Sequence, residues 1–261
     1  MSEPVRLKSI ALPVEHGGWG LLAEPLVLGL IVAPSWAGLG IGLSALFAFL
    51  ARHPLKIALA DRSLGRRTAR TAPAERFALG YALLAILALL PATAGATGWW
   101  LPLALAAPLG LVQFVHDVRN RGRHILPELL GGIALGSVAA AEVRAAGWTM
   151  AAALVAWAVM AAKAAVAILY VRARLRCDRG LEFGRAAVIA THVLAIAGAA
   201  LLAAQGRLPW LAAAAFAVLL ARAVHGLSRF HRRVRPQAVG FAEMAYGIGF
   251  VLATAAGYLI R

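Results

Sequence analysis

Nine apolar runs, at about 17–33, 35–51, 77–97, 99–115, 125–141, 148–171, 186–204, 208–226 and 241–260, leave this chain few ways to fold. A helix buried in a soluble core seldom needs more than about 14 consecutive apolar residues, whereas one that crosses a bilayer needs about 20. Several runs meet the longer requirement, and tilt or long flanking side chains accommodate the shorter ones. Only 14% of residues are charged and 62% are hydrophobic, against roughly half apolar in soluble domains. The expected fold is all-α: a polytopic membrane bundle of about nine transmembrane helices, with residues 17–261 as a single domain. Residues 1–16, polar and without a cleavable signal-peptide pattern, read as a cytoplasmic tail. Short turns at Pro34–Ser35 and Thr97–Gly98 read as hairpins on the outer face, with Trp36, Trp99 and Trp100 at interfacial depth.

A net charge of +15 raises the question of nucleic acid. The distribution of the charge answers it. Of 26 Lys and Arg, 21 fall in the tail and in the loops at 52–76, 116–124, 172–185 and 227–240, all on one side of an alternating bundle. Arg144, Arg207 and Arg261 fall on the other side, and Lys163 and Arg222 lie within runs. This is the positive-inside pattern, and it predicts an inner-membrane protein with its N-terminus in and its C-terminus out. No basic polar domain or RNA-binding aromatic motif accompanies it, so nucleic acid is not an expected partner. A single cysteine, Cys177, excludes an intrachain disulfide and a cysteine-rich metal site.

An internal repeat is visible. Asp61-Arg62, with Gly65-Arg66, follows the second run, and Asp178-Arg179, with Gly184-Arg185, follows the sixth. Glu128 opens the fifth run four residues before Gly132-Ile133, and Glu243 opens the ninth four residues before Gly247-Ile248. The two offsets, 117 and 115 residues, nearly agree. Helices two to five and six to nine would then be parallel repeats, with the first helix extra.

Glu24, Glu128 and Glu243 each sit within about two turns of the basic side. A charge inside a membrane helix costs about 2.5–3.5 kcal/mol on insertion scales and usually faces a partner or a wet cavity. The available partners are Lys163, Arg172 and Arg174 on the sixth helix and Arg52 and Lys56 after the second. The carboxylates read either as interhelical ion pairs or as the walls of a charged cavity. Arg172 and Arg174 continue directly from an apolar helix, and Arg121 and Arg123 form a row before the fifth; guanidinium groups so placed suit phosphate or carboxylate. Most other loop arginines, such as Arg66, Arg67, Arg70, Arg232 and Arg233, read as topology signals and headgroup contacts. His16, His53, His116, His124, His192, His225 and His231 lack the spacing of a zinc helix motif. His116 and His225 occupy equivalent helix ends, which leaves haem ligation open.

The stretch Pro13-Val14-Glu15-His16-Gly17-Gly18-Trp19-Gly20, followed by Glu24-Pro25, resembles the YwiC-like membrane protein family, with Glu15, His16 and Trp19 in its N-terminal motif. A more distant resemblance is to the UbiA superfamily of intramembrane prenyltransferases. The first Asp-rich motif of that superfamily can be laid on His53 through Arg62, including Lys56 and Asp61. Its second can be laid on Ala167 through Asp178, including Tyr170 and Arg174. Arg121-Gly122-Arg123 to Leu135-Gly136 is similar to its basic loop and the helix that follows. The resemblance implies nine helices around a cytoplasmic-facing cavity. In both motifs only the last Asp survives, and the rest are basic or apolar. Mg²⁺ wants several oxygens in octahedral geometry, so no cofactor is expected and Mg²⁺ least of all. The expected function is to bind an anionic amphiphile, an isoprenoid or lipid phosphate, in a metal-independent prenyltransferase-like protein, with catalysis left open. The alternative is a transporter, or a module handling haem or quinone in a respiratory membrane.

Overall fold

A bilayer core holds no water to bond backbone amides, so a chain this apolar satisfies them within its own helices. The computed structural model describes residues 7–13, 16–230 and 232–260, with the backbone alone at His16. In chain order the helices are α1 (Leu7–Ala11), α2 (His16–Val32), α3 (Trp36–Ser63), α4 (Thr71–Ala88), α5 (Leu90–Gly95), α6 (Trp100–Val118), α7 (Ile125–Ala145), α8 (Met150–Asp178), α9 (Arg185–Ala204), α10 (Trp210–Gly226) and α11 (Pro236–Leu259). Among the described residues, seven stretches are long and apolar enough to cross a membrane: α3, α4 with α5, α6, α7, α8, α9 and α11. Helices α2 and α10 are apolar but shorter. The chain is an all-helical, multi-pass membrane protein.

Several helices outrun their apolar segments. Polarity predicts loops from residues 52 and 172, yet α3 and α8 run on to Ser63 and Asp178, with 28 and 29 residues. At 1.5 Å per residue they are about 42–44 Å long, beyond the ~30 Å of hydrocarbon. Their last turns are rich in Ala, Leu, Lys and Arg, all good helix formers, so the helix continues where the apolar run stops. Part of the N-terminal tail is also helical, and Ile10 of α1 packs on Ala58 and Ala74. At the opposite end Ser35 and Thr149 cap α3 and α8, accepting hydrogen bonds from the Gly38 and Ala152 amides at 2.9 and 3.2 Å. Gly98, at φ +69°, turns the chain into α6. Beside it Trp36 and Trp100 are exposed, whereas Trp99 is buried.

The arginine-rich segments meet at one end of the bundle. Arg52 and Lys56 of α3 reach Asp117 at the end of α6. Arg172 of α8 donates to the Arg123 carbonyl in the α6–α7 loop at 2.9 Å. Arg174 donates to the carbonyls of Gly226 and Arg232 in the α10–α11 connection.

Helix α7 packs against α2, α3, α6 and α8. Gly132 and Gly136 let it approach α8 closely: a Cβ on Gly132 would lie 2.9 Å from Ile168 Cδ1, and one on Gly136 3.2 Å from the Ala161 amide nitrogen. Trp157 Nε1 donates to the Ile133 carbonyl across the same seam at 2.7 Å. On the other side of the bundle, Phe216 and Phe250 meet edge to face at 4.7 Å in a core built from α8, α10 and α11. Helix α2 touches both halves, packing on α7 and on α11.

Candidate functional site

Between α2, α3, α6, α7, α8 and α11 lies a cavity of about 1170 Å³. Its walls are mainly apolar, with Leu21, Phe49, Leu103, Phe114, Leu135, Val138, Ile168 and Met244 among them. It reaches the surface at the arginine-rich end, where Arg123, Gln237 and Phe241 are exposed. Among the described residues, four acidic ones (Glu24, Asp117, Glu128, Glu243) and four basic ones (Arg52, Arg123, Lys163, Arg172) line it, so their formal charges balance.

The charges are sorted by depth. Deepest is the ion pair of Glu24 and Lys163, both buried, which joins α2 to α8. Gly247 of α11 presses on this pair: a Cβ there would overlap the Glu24 carboxyl and approach Lys163 Nζ to 3.1 Å. One turn earlier on α11, Glu243 accepts from Arg222 at 2.5 Å. Arg222 also contacts His192 Nε2 at 3.3 Å, and its guanidinium lies 4.0 Å from the Tyr170 ring centroid and 5.4 Å from that of Tyr246. Buried cations are held in this way, by a counter-charge and aromatic faces together. Nearer the mouth, Arg172 donates to Glu128 at 2.6 Å, with both side chains about one-third exposed. Gln113 lies over Gly131, and its side-chain oxygen has no partner among the described residues.

Of the charged residues singled out in the sequence, the cavity wall therefore brings together Glu24, Arg52, Arg123, Glu128, Lys163, Arg172 and Glu243. The others lie elsewhere. Lys56 bonds Asp117 at 3.1 Å, and His53 Nε2 donates to the Ser9 carbonyl at 3.1 Å, beside a small pocket under Pro13. Asp61 is enclosed by its own loop, accepting from Thr71 at 2.7 Å, Thr68 at 2.9 Å and Arg70 at 3.0 Å. The hydrogen bond that Arg70 donates to Asp61 raises the Arg70 pKa from its ordinary value. Arg174 and Asp178 pair with each other at 3.3 Å, away from the cavity wall. Tyr170 is buried beneath Arg222, and Arg121 is exposed in its loop. Trp19 packs edge to face on Phe49, 5.3 Å between centroids. Glu15 and the His16 side chain lie outside the described residues.

Among the described residues, no histidine lines the cavity. His116 and the buried His192 each donate to a carbonyl one turn back, at 2.8 Å. Among the described residues no three His, Cys, Asp or Glu side chains are grouped as metal ligands. Sequence reasoning passed over Asp117, Gln113 and Glu142, and did not single out Arg222. A polar residue near the end of an otherwise apolar run was the signal that could have flagged Asp117 and Glu142.

The family model for the YwiC-like proteins matches residues 12–143, half of the chain. The chain belongs to the YwiC-like family. The match runs from the segment before α2 into α7, so it covers Glu24, Asp117, Glu128 and Glu142. Lys163, Arg172, Arg222 and Glu243 come from the remainder of the chain. No curated protein and no solved structure matches this YwiC-like chain.

Proposed function

We propose that this YwiC-like protein binds an anionic amphiphile, with the head group at the arginine-rich mouth and the chain along the apolar walls. The cavity carries the proposal: at about 1170 Å³ it exceeds the ~300–1,000 Å³ of ordinary small-molecule sites. Arg52, Arg123 and Arg172 outnumber Asp117 and Glu128 at its mouth. An isoprenoid or lipid phosphate would compete with Glu128 for Arg172, a planar fork suited to phosphate. The distant UbiA resemblance supports a cavity that opens to the cytoplasm, and the charge asymmetry supports an inner-membrane location with the N-terminus in. The nearby acids are already held by bases, so arginine rather than Mg²⁺ neutralises the head group.

Native mass spectrometry of the purified protein tests this. An anionic lipid or isoprenoid phosphate should co-purify, fall at least tenfold in occupancy in the Arg123→Gln, Arg172→Gln double variant, and persist in EDTA. Loss on chelation with restoration by Mg²⁺, or equal occupancy in wild type and double variant, overturns it. The deep Glu24–Lys163 pair favours a second reading, a carrier, because charges far inside a membrane helix mark translocation pathways. Flux of the co-purified amphiphile in vesicles without product formation selects the carrier, and turnover selects an enzyme.

A further inference from the structure

One buried carboxyl outside the cavity, that of Glu142, has neither a role in that reading nor a hydrogen-bond partner among the described residues. Glu142 lies near the far end of α7, 14 residues and about 21 Å along the helix from Glu128. Its side chain is inaccessible to solvent (0% exposed), and neither carboxyl oxygen has a hydrogen-bond partner among the described residues. Ala139, Ala140 and Ala141, all fully buried, separate it from Val138 in the cavity wall.

Two neighbouring helices are shaped to admit this side chain. A Cβ on Gly29 of α2 would overlap the Glu142 carboxyl, and one on Gly42 of α3 would stand 2.8 Å from its Oε1. Gly38 of α3 lies against its Cβ, at 3.6 Å on the same measure. The other atoms nearest those glycines belong to Leu26, Leu30 and the Ser35 hydroxyl, none of them charged. Arg144, two residues on, donates instead to the Trp148 carbonyl at 2.7 Å. An ionised carboxylate without a partner is costly in such a setting, even after the surroundings relax. A purely structural filler would need no carboxyl, since leucine fills the space without a polar group to satisfy.

We propose that Glu142 is the binding site for one monovalent cation, either a proton or an alkali-metal ion, held between α2, α3 and α7. The shared chemistry is a single positive charge small enough to enter the glycine-lined space. It is independent of the ligand in the cavity.

Infrared difference spectra between the full-length wild type and Glu142→Gln, in sodium-free buffer and then with rising pH or added NaCl, test the site. The expected result is a carboxylic-acid carbonyl band in wild type alone, reduced at least tenfold by one of the two treatments. Loss with NaCl at constant pH identifies an alkali-metal site, and loss with pH alone identifies a proton site. A carboxylate signal insensitive to both treatments overturns the proposal. So does an acid band that survives both, because nothing then exchanges. Should Glu142→Gln not fold, peptide-resolved labelling of wild type by a membrane-permeant carbodiimide makes the same decision. Modification of Glu142 that slows at least tenfold with NaCl or high pH supports the site, and no modification at any pH overturns it.

Discussion

Asp61 and Glu24 are both buried acids with a basic partner, yet they do different work. Asp61 is held within ten residues of itself, by Thr68, Thr71 and an Arg70 side chain more than half exposed to solvent. Its bonds close the α3–α4 loop. Glu24 meets Lys163 from 139 residues away, both side chains are buried, and their pairing joins α2 to α8 on the cavity wall. The acid that occupies a motif-like position is a loop staple, and the one buried in an apolar helix faces the cavity. Water and local hydroxyl groups can compensate a loop carboxylate, whereas inside the bundle only an opposite charge can.

That contrast breaks most sharply at Lys163. Lys163→Met should destabilise the protein by about 3–5 kcal/mol, because it strands Glu24 in an apolar wall. Adding Glu24→Leu should recover most of that loss. Detergent unfolding curves measure both, and a double variant as unstable as the single one would show that the pair is not coupled. Next in size is Arg222→Gln, which leaves Glu243 with a weaker partner and removes the cation between Tyr170 and Tyr246; a loss of about 3 kcal/mol is expected in the same assay.

Asp61→Asn should cost about 2 kcal/mol, since it weakens hydrogen bonds to a charged acceptor. The effect should be local. Limited proteolysis should cut faster near residues 64–70 while the cavity ligand is retained, and loss of the ligand would make Asp61 part of the site after all. Smaller still is Arg172→Gln, whose partly exposed ion pair contributes about 0–1 kcal/mol to stability. Its signature is a fall in co-purified amphiphile with little change in unfolding. Conversely, Glu128→Gln should raise occupancy by freeing Arg172. At the bottom of the scale Arg67→Gln, at an exposed loop position, should shift stability by no more than about 0.5 kcal/mol.

The all-helical, multi-pass character was legible from the sequence because its cause is local. Hydrocarbon selects apolar runs of sufficient length, and the terms involved act residue by residue along the chain. Even so, polarity misplaced the ends of α3 and α8, where helix propensity carries the backbone past the apolar segment. The charged residues were legible as unusual, but their partners were not. Arg174 sits two residues from Arg172, yet it reaches loop carbonyls and Asp178 while Arg172 faces Glu128 and the cavity. Asp117 could not be assigned to Arg52 and Lys56 without knowing that α3 and α6 end together. Glu142 shows the limit most plainly. Its neighbours in sequence, Ala141 and Val143, say only that it ends an apolar run, and the glycines that admit it belong to α2 and α3. Helical phase is a property of one segment, so a sequence carries it openly. Which base meets which acid, and whether any does, depends on distances between segments far apart in the chain, and only their packing sets those.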